Sequence, residues 1–268
     1  MITDILGREI TVTTPPQRIV SLVPSLTEYL CSIGVGDRLV GVTDFCTEPA
    51  EVVAHIPKVG GTKNPQREQI RELHPDLILA AKEENRKQDV QWFEQANLPV
   101  FVTDICRVDD AISQLAQVAG LVEAEQQATP LLNTIQQHLT ALQQELLDRP
   151  KRRFLAFIWR DPWMVVGGDT YVHDLLTRCG GENLALHFEG RYPRAPLDAF
   201  LAYDPDVIFL PDEPYVFTAS DLAAFAPFTT VPAVQSSRVH LCDGKLLTWY
   251  GPRMIEAFAF CQHIFAET

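Results

Sequence analysis

Apolar positions along the chain follow two alternating patterns. Short runs rich in β-branched residues read as buried strands, and stretches with an apolar residue every three or four positions read as helices. "RIVSLV" (18–23) is the first strand; Pro24 stops it, and "SLTE" forms a capping box with Ser25 as N-cap and Glu28 at N3. "DRLVGVT" (37–43) is the next strand. "NPQREQIRELH" (64–74) is an amphipathic helix carrying Ile70 and Leu73, followed by the strand "DLILAA" (76–81). A helix over "NRKQDVQWFEQAN" (85–97), a strand over "PVFVTD" (99–104) and a helix over "VDDAISQLAQVAGLV" (108–122) complete the first run.

From Glu123 to Pro150, Leu131, Leu132, Ile135, Leu139, Leu142 and Leu146 recur at helical spacing and form one stripe. Uninterrupted, that helix spans about 35 to 40 Å, with Pro130 kinking it or starting its main segment. The alternation then restarts. "RRFLAFIW" (152–159) is a strand, "DPWMVVGGD" (161–169) a loop, and "TYVHDLLTRCGG" (170–181) a helix closed by glycine. Helix "LDAFLAYD", strand "PDVIFLP", the loop and helix of "DLAAFAPFTTVPAVQ", strand "RVHLCD" and helix "PRMIEAFAFCQHIFAE" follow.

One phrase occurs twice. "HPDLILAAKEEN" (74–85) returns as "DPDVIFLPDEPY" (204–215), a spacing too long for a solenoid repeat and about that of a domain. Strands alternating with helices predict parallel sheets. The reading is α/β: two Rossmann-like lobes, 1–121 and 150–268, joined by a single long helix over 122–149, with a ligand cleft between the lobes.

Composition narrows the function. Thirty-five acidic against 22 basic residues give a formal net charge of −13, which disfavours nucleic acid and anionic membranes. No apolar run is long enough to span a membrane. The opening "MITDILGREITVTTPPQRIV" lacks the basic and apolar regions of a signal peptide. A cytoplasmic chain and an exported chain whose leader lies outside this sequence both stay open. Six cysteines without a CxxC pair read mainly as small buried side chains. No histidine spacing suggests a metal site, and no nucleophile elbow or triad is legible, so no metal ligand or catalytic residue is assigned.

Ligands of open parallel sheets bind beyond the carboxyl ends of the strands, which makes the polar exit loops the candidates. In the first lobe these supply Phe45 and Cys46, then Thr62, Lys63 and Asn64, then Lys82, Glu83, Glu84 and Asn85. In the second they supply Trp159, Arg160, Asp161 and Trp163, then Tyr192, Glu213 and Tyr215, then Trp249, Tyr250 and Arg253. Aromatic rings suit a large flat ligand and the cations suit acidic groups on it. Other readings stand beside these. Glu83 and Glu84 can solvate a helix start, Arg160 and Asp161 can form a local ion pair, and Trp249 and Tyr250 can pack within the fold.

"RIVSLVPSLTEYLCSIGVGDRLVGVTDFC", "IRELHPDLILA", the long helix, "CGGEN" and "WYGPR" together resemble the class III substrate-binding proteins of ABC importers, the helical-backbone metal receptors for cobalamin and ferric siderophores. The resemblance covers nearly the whole chain. It implies a monomer that binds without catalysing, has no intrinsic cofactor, works in the periplasm or at the cell surface, and delivers a metal-containing small molecule to a permease. By position it implies cleft contacts from Phe45, Thr62, Lys63, Ala81, Lys82, Trp163, Tyr192 and the "WYGPR" loop. It also implies permease docking through Glu68 and Asp198, each eight residues before the Asp of a Pro-Asp turn. Cys179 and Cys261 occupy places that can pair in exported relatives. Two alternatives keep the scaffold: a cytoplasmic carrier of a corrinoid or metal chelate, and a chelate-processing enzyme using Cys46, Glu83, Glu84 and Asp161.

Overall fold

The computed structural model describes residues 2–11 and 15–266; residues 1, 12–14 and 267–268 lie outside the described set. The chain divides into two compact units, Met1–Ile105 with Asp109–Ile135 and Tyr250–Pro252, and Cys106–Val108 with Gln136–Trp249 and Arg253–Thr268. Each has its own sheet.

In the first unit four strands lie in the order Leu39–Val42, Ile19–Ser21, Leu77–Ala81, Val100–Thr103, all parallel. The two central strands are buried along their whole length, as unbroken apolar runs require. Val20, Leu22, Ile78 and Val102 meet Ile70 of the helix Arg67–Glu72 and Phe93 of the helix Lys87–Gln95 in an aliphatic core.

The second unit repeats that order. Gly181–Asn183 pairs in parallel with the first residues of Arg152–Trp159, which pairs in turn with Val207–Pro211 and then Val239–Cys242. Its core is aromatic: Phe157 meets Phe200 and Phe225 edge-on at 5.7 and 5.8 Å, and Phe154 meets Phe209 at 6.2 Å.

The repeated phrase has a physical cause. His74 and Asp204 both take positive φ, 47° and 52°, and turn the chain into the following strand. The Asp76 carboxylate accepts the backbone N–H groups of Gln17 and Arg18 at 2.8 Å, at the start of the neighbouring strand. Asp206 accepts the backbone N–H of Arg153 at 2.9 Å. Its guanidinium also grips Asp206 at 2.9 Å, while Arg18 donates to the Leu73 carbonyl. Each Pro-Asp turn fastens the amino ends of two parallel strands.

Several elements differ from the expectations above. The strand ends at Ser21, before Pro24, and Pro24 itself opens the helix Pro24–Ser32 at its first position. Ser25 consequently lies inside that helix and caps nothing; Val23 is the N-cap. Asn64–Pro65 pairs with Gly60–Gly61 as a small hairpin, so the next helix starts only at Arg67. Met164–Val165 is a strand antiparallel to the end of Arg152–Trp159, where a loop was expected. The connecting helix runs over Glu125–Glu145, about 30 Å, with Pro130 inside it. Ile135, Leu139 and Leu142 carry its buried stripe, while Leu131, Leu132 and Leu146 are half-buried. All six cysteines are free; Cys46, Cys179 and Cys261 are buried, and a Cys179 hydrogen bond and burial push the Cys261 thiol up. No helix among the described residues is long and apolar enough to cross a membrane.

Candidate functional site

At the carboxyl ends of the first unit's strands, one side chain organises three loops. Asn85 is buried; its Oδ1 accepts the Ala81 N–H at 2.8 Å, and its Nδ2 donates to the carbonyls of Leu22 and Thr62 at 3.3 and 3.0 Å. This is a fastening that engages both ends of the amide within the unit. Cys46 is fully buried, its sulfur 3.2 Å from Thr27 Oγ1 and 3.1 Å from Thr43 Oγ1. Burial raises its thiol, an environment for an inert packed cysteine.

What the candidate exit loops of this unit expose is polar apart from one ring. Phe45 is 60% exposed and lies against Gly61, whose added Cβ would meet Phe45 Cε2 at 3.3 Å. Lys63 reaches the Glu83 carbonyl, and Lys82 pairs with Asp104 at 2.5 Å. Asn64 and Glu83 are exposed, while Thr62 and Glu84 are half-buried. Tyr250, expected at the ligand, is buried; burial and the nearby Glu84 raise its hydroxyl despite hydrogen bonds with Ser25 and Thr103.

The second unit ends its strands in rings. Trp159 is 42% exposed and meets Tyr215 edge-on at 5.5 Å; Tyr215 packs on Phe217 at 4.7 Å. Trp163 lies deeper, stacked on Phe217 at 6.2 Å and edge-on to Phe157 and Phe225. The Arg160 guanidinium covers its ring at 5.3 Å and binds Asp221 at 2.5 Å. Asp161, at φ 61°, is exposed, 3.9 Å from Arg160. Tyr192 is half-buried under Arg191.

Glu213 and Trp249 are held by hydrogen bonds and packing within this unit. Thr248 Oγ1 donates to Glu213 Oε1 at 2.9 Å and Trp249 to the same carboxyl, while Gly244 packs on Glu213 so closely that a Cβ would lie 2.3 Å from its Cγ. Burial, with Asp212 and Asp243 nearby, raises the Glu213 carboxyl. Trp249 is buried, with Arg253 over its ring at 5.3 Å.

Asp221 escaped notice in the sequence. Its carboxylate takes the Thr218 N–H at 2.8 Å and the Thr218 hydroxyl at 3.0 Å. The Thr-x-x-Asp spacing of "TASD" before an apolar stretch was the available signal.

Two sheets whose four parallel strands follow the same order, their exits lined by loops that differ in chemistry, fit a known architecture. A family model described as periplasmic binding protein matches residues 19–246. The chain belongs to that family. It is a family of binding proteins, and membership implies a periplasmic or surface location.

Among other members, the vitamin B12-binding protein of Vibrio parahaemolyticus is 23% identical over 251 residues, 93% of this chain and 90% of its own. That of Yersinia pestis is 29% identical over 193 residues, 72% of this chain and 68% of its own. The crystal structure of the periplasmic vitamin B12 binding protein BtuF of Vibrio cholerae superposes with a TM-score of 0.84 at 21% identity, covering 94% and 98% of the two chains. The periplasmic heme-binding protein RhuT of Roseiflexus sp. RS-1 gives 0.80 at 23%, covering 93% and 97%. At these identities the structural likeness establishes the fold.

Proposed function

We propose that this protein is the substrate-binding component of an ABC importer and that it captures a cobalamin or a ferric chelate for a permease. The observation that carries the reading is the open ring of Trp159 with Tyr215 beside it, backed by Trp163 and the buried phenylalanines. Such a surface suits a broad, weakly polar face, and rigid aromatic contacts lose little entropy on binding. The vitamin B12-binding relatives support a corrinoid first. Thr62, Lys63, Asn64, Lys82, Glu83 and Glu84 supply polar contacts and Phe45 an apolar one, and Asp161, Tyr192 and Arg253 add to them.

The protein acts as a monomer and returns its ligand unchanged. The buried Cys46 thiol supports a non-catalytic role in so far as it withdraws one of the four groups, Cys46, Glu83, Glu84 and Asp161, that the enzyme alternative draws on. Docking to the permease uses Glu68 and Asp198. Both are exposed at the second position of equivalent helices, Arg67–Glu72 and Leu197–Leu201, and Glu68 lines a shallow groove with Trp92.

Calorimetric titration with cyanocobalamin and ferric siderophores tests the ligand class. Binding at about 1 µM or tighter, roughly −8 kcal/mol, is expected for one of them, weakened about ten-fold in Trp159→Ala. No binding below about 100 µM counts against the class. Glu68→Arg with Asp198→Arg leaves that affinity intact and abolishes uptake; unchanged uptake defeats the docking assignment.

A further inference from the structure

The Arg160–Asp221 pair stands where the strand Arg152–Trp159 ends, Arg160 following the exposed Trp159 in sequence and covering the ring of Trp163. Resting on the proposed binding role, we infer that Asp221 is a positioning residue that sets ligand preference: it neutralises Arg160 over Trp163 and so keeps this unit's exit selective for uncharged ligand edges.

Three observations carry this. Asp221 is 4% exposed, yet it is fixed from three sides by Arg160 Nη1, the Thr218 N–H and the Thr218 hydroxyl. Arg160 is two-thirds buried, clamped between that carboxylate and the face of Trp163, so it is held in one place. Asp161, the other carboxylate in reach, stands 3.9 Å away with 90% of its side chain exposed, too solvated to neutralise the guanidinium alone. Burial alone would raise the Asp221 carboxyl, but the Thr218 N–H, Arg160 and the Thr218 hydroxyl outweigh it and hold it below the usual carboxylate range. The pair is therefore fully ionised at neutral pH. A buried cation whose charge is cancelled locally offers little to a carboxylate on a ligand, whereas the same cation without its partner attracts one. Specificity then comes from what the site withholds.

The pair predicts shifts of opposite sign from its two ends. Affinities of wild type, Asp221→Asn and Arg160→Gln are measured for cyanocobalamin, whose corrin edge carries amides, and for ferric haem, whose edge carries carboxylates. Asp221→Asn is expected to move the haem-to-cobalamin affinity ratio about five-fold toward haem, with a salt dependence the wild type lacks. Arg160→Gln leaves Asp221 uncompensated and moves the ratio the other way. Ratios that stay within about two-fold in both variants, or that move in the same direction, overturn the inference and mark the pair as scaffold only. If the wild type binds neither probe, this inference is overturned, while binding of a ferric siderophore in the titration above would leave the binding role standing. Thermal melting of each variant separates a folding defect from a change of preference, and Arg160→Gln with Asp221→Asn is expected to restore the wild-type ratio.

Discussion

The two units share a strand order and a Pro-Asp turn, yet they finish their strands with different chemistry. The first is tied by a buried amide, Asn85, and exposes lysines, glutamates and one phenylalanine. The second is tied by stacked rings whose outermost members reach solvent. The cores anticipate the difference: Val, Ile and Leu around Phe93 in one, interlocking Phe157, Phe200 and Phe225 in the other. A polar fastening fixes loops through direction, and an aromatic one through area. One framework thus supports a hydrogen-bonding exit and a stacking exit.

The largest expected effect comes from the aromatic side. Phe157→Ala removes a fully buried ring that supports Phe200, Phe225 and Trp163, costing about 3 to 5 kcal/mol in denaturant unfolding. It should also blunt the Trp159→Ala effect on ligand. On the polar side, Asn85→Ala orphans the Ala81 N–H and the Leu22 and Thr62 carbonyls, and about 2 kcal/mol is expected. If Asn85→Ala proves neutral, the first unit's loops are held by something other than that amide.

The smallest effect compares the twin turns through pH. Burial pushes the Asp206 carboxyl up, but the Arg153 guanidinium and N–H outweigh it and hold it below its ordinary value. Its contribution is complete above the unfolded value near pH 4 and is lost as pH falls through the folded one. Urea titrations between about pH 3 and 6 should show Asp206→Asn flattening that acid limb by about 1 kcal/mol. An unchanged limb would remove Asp206 from the account.

Much of the fold was legible because strands buried on both faces leave unbroken apolar runs, and "RRFLAFIW" matches its strand residue for residue. The errors have local causes. Ser25 looked like an N-cap because its spacing to Glu28 fits, but Pro24 already supplies the fixed φ and missing donor of a first helical residue. The strand Met164–Val165 is two residues long and too short to show alternation. Among candidate residues, exposure separated types that spacing cannot. Cys46, Asn85, Trp249 and Tyr250 stand in exit loops as expected, yet all four point inward. Loop position is written in one dimension, and burial depends on partners far along the chain, such as Leu22 for Asn85.

The Asp76 and Asp206 fastenings stand at the entrances of Leu77–Ala81 and Val207–Pro211, and the candidate loops stand at their exits. Five residues of strand, roughly 16 Å, insulate one from the other. Drift in the loops therefore leaves registration untouched, and a lineage can trade cargo without rebuilding its frame. Transplanting one set of exits onto another member's strands should be tolerated for the same reason.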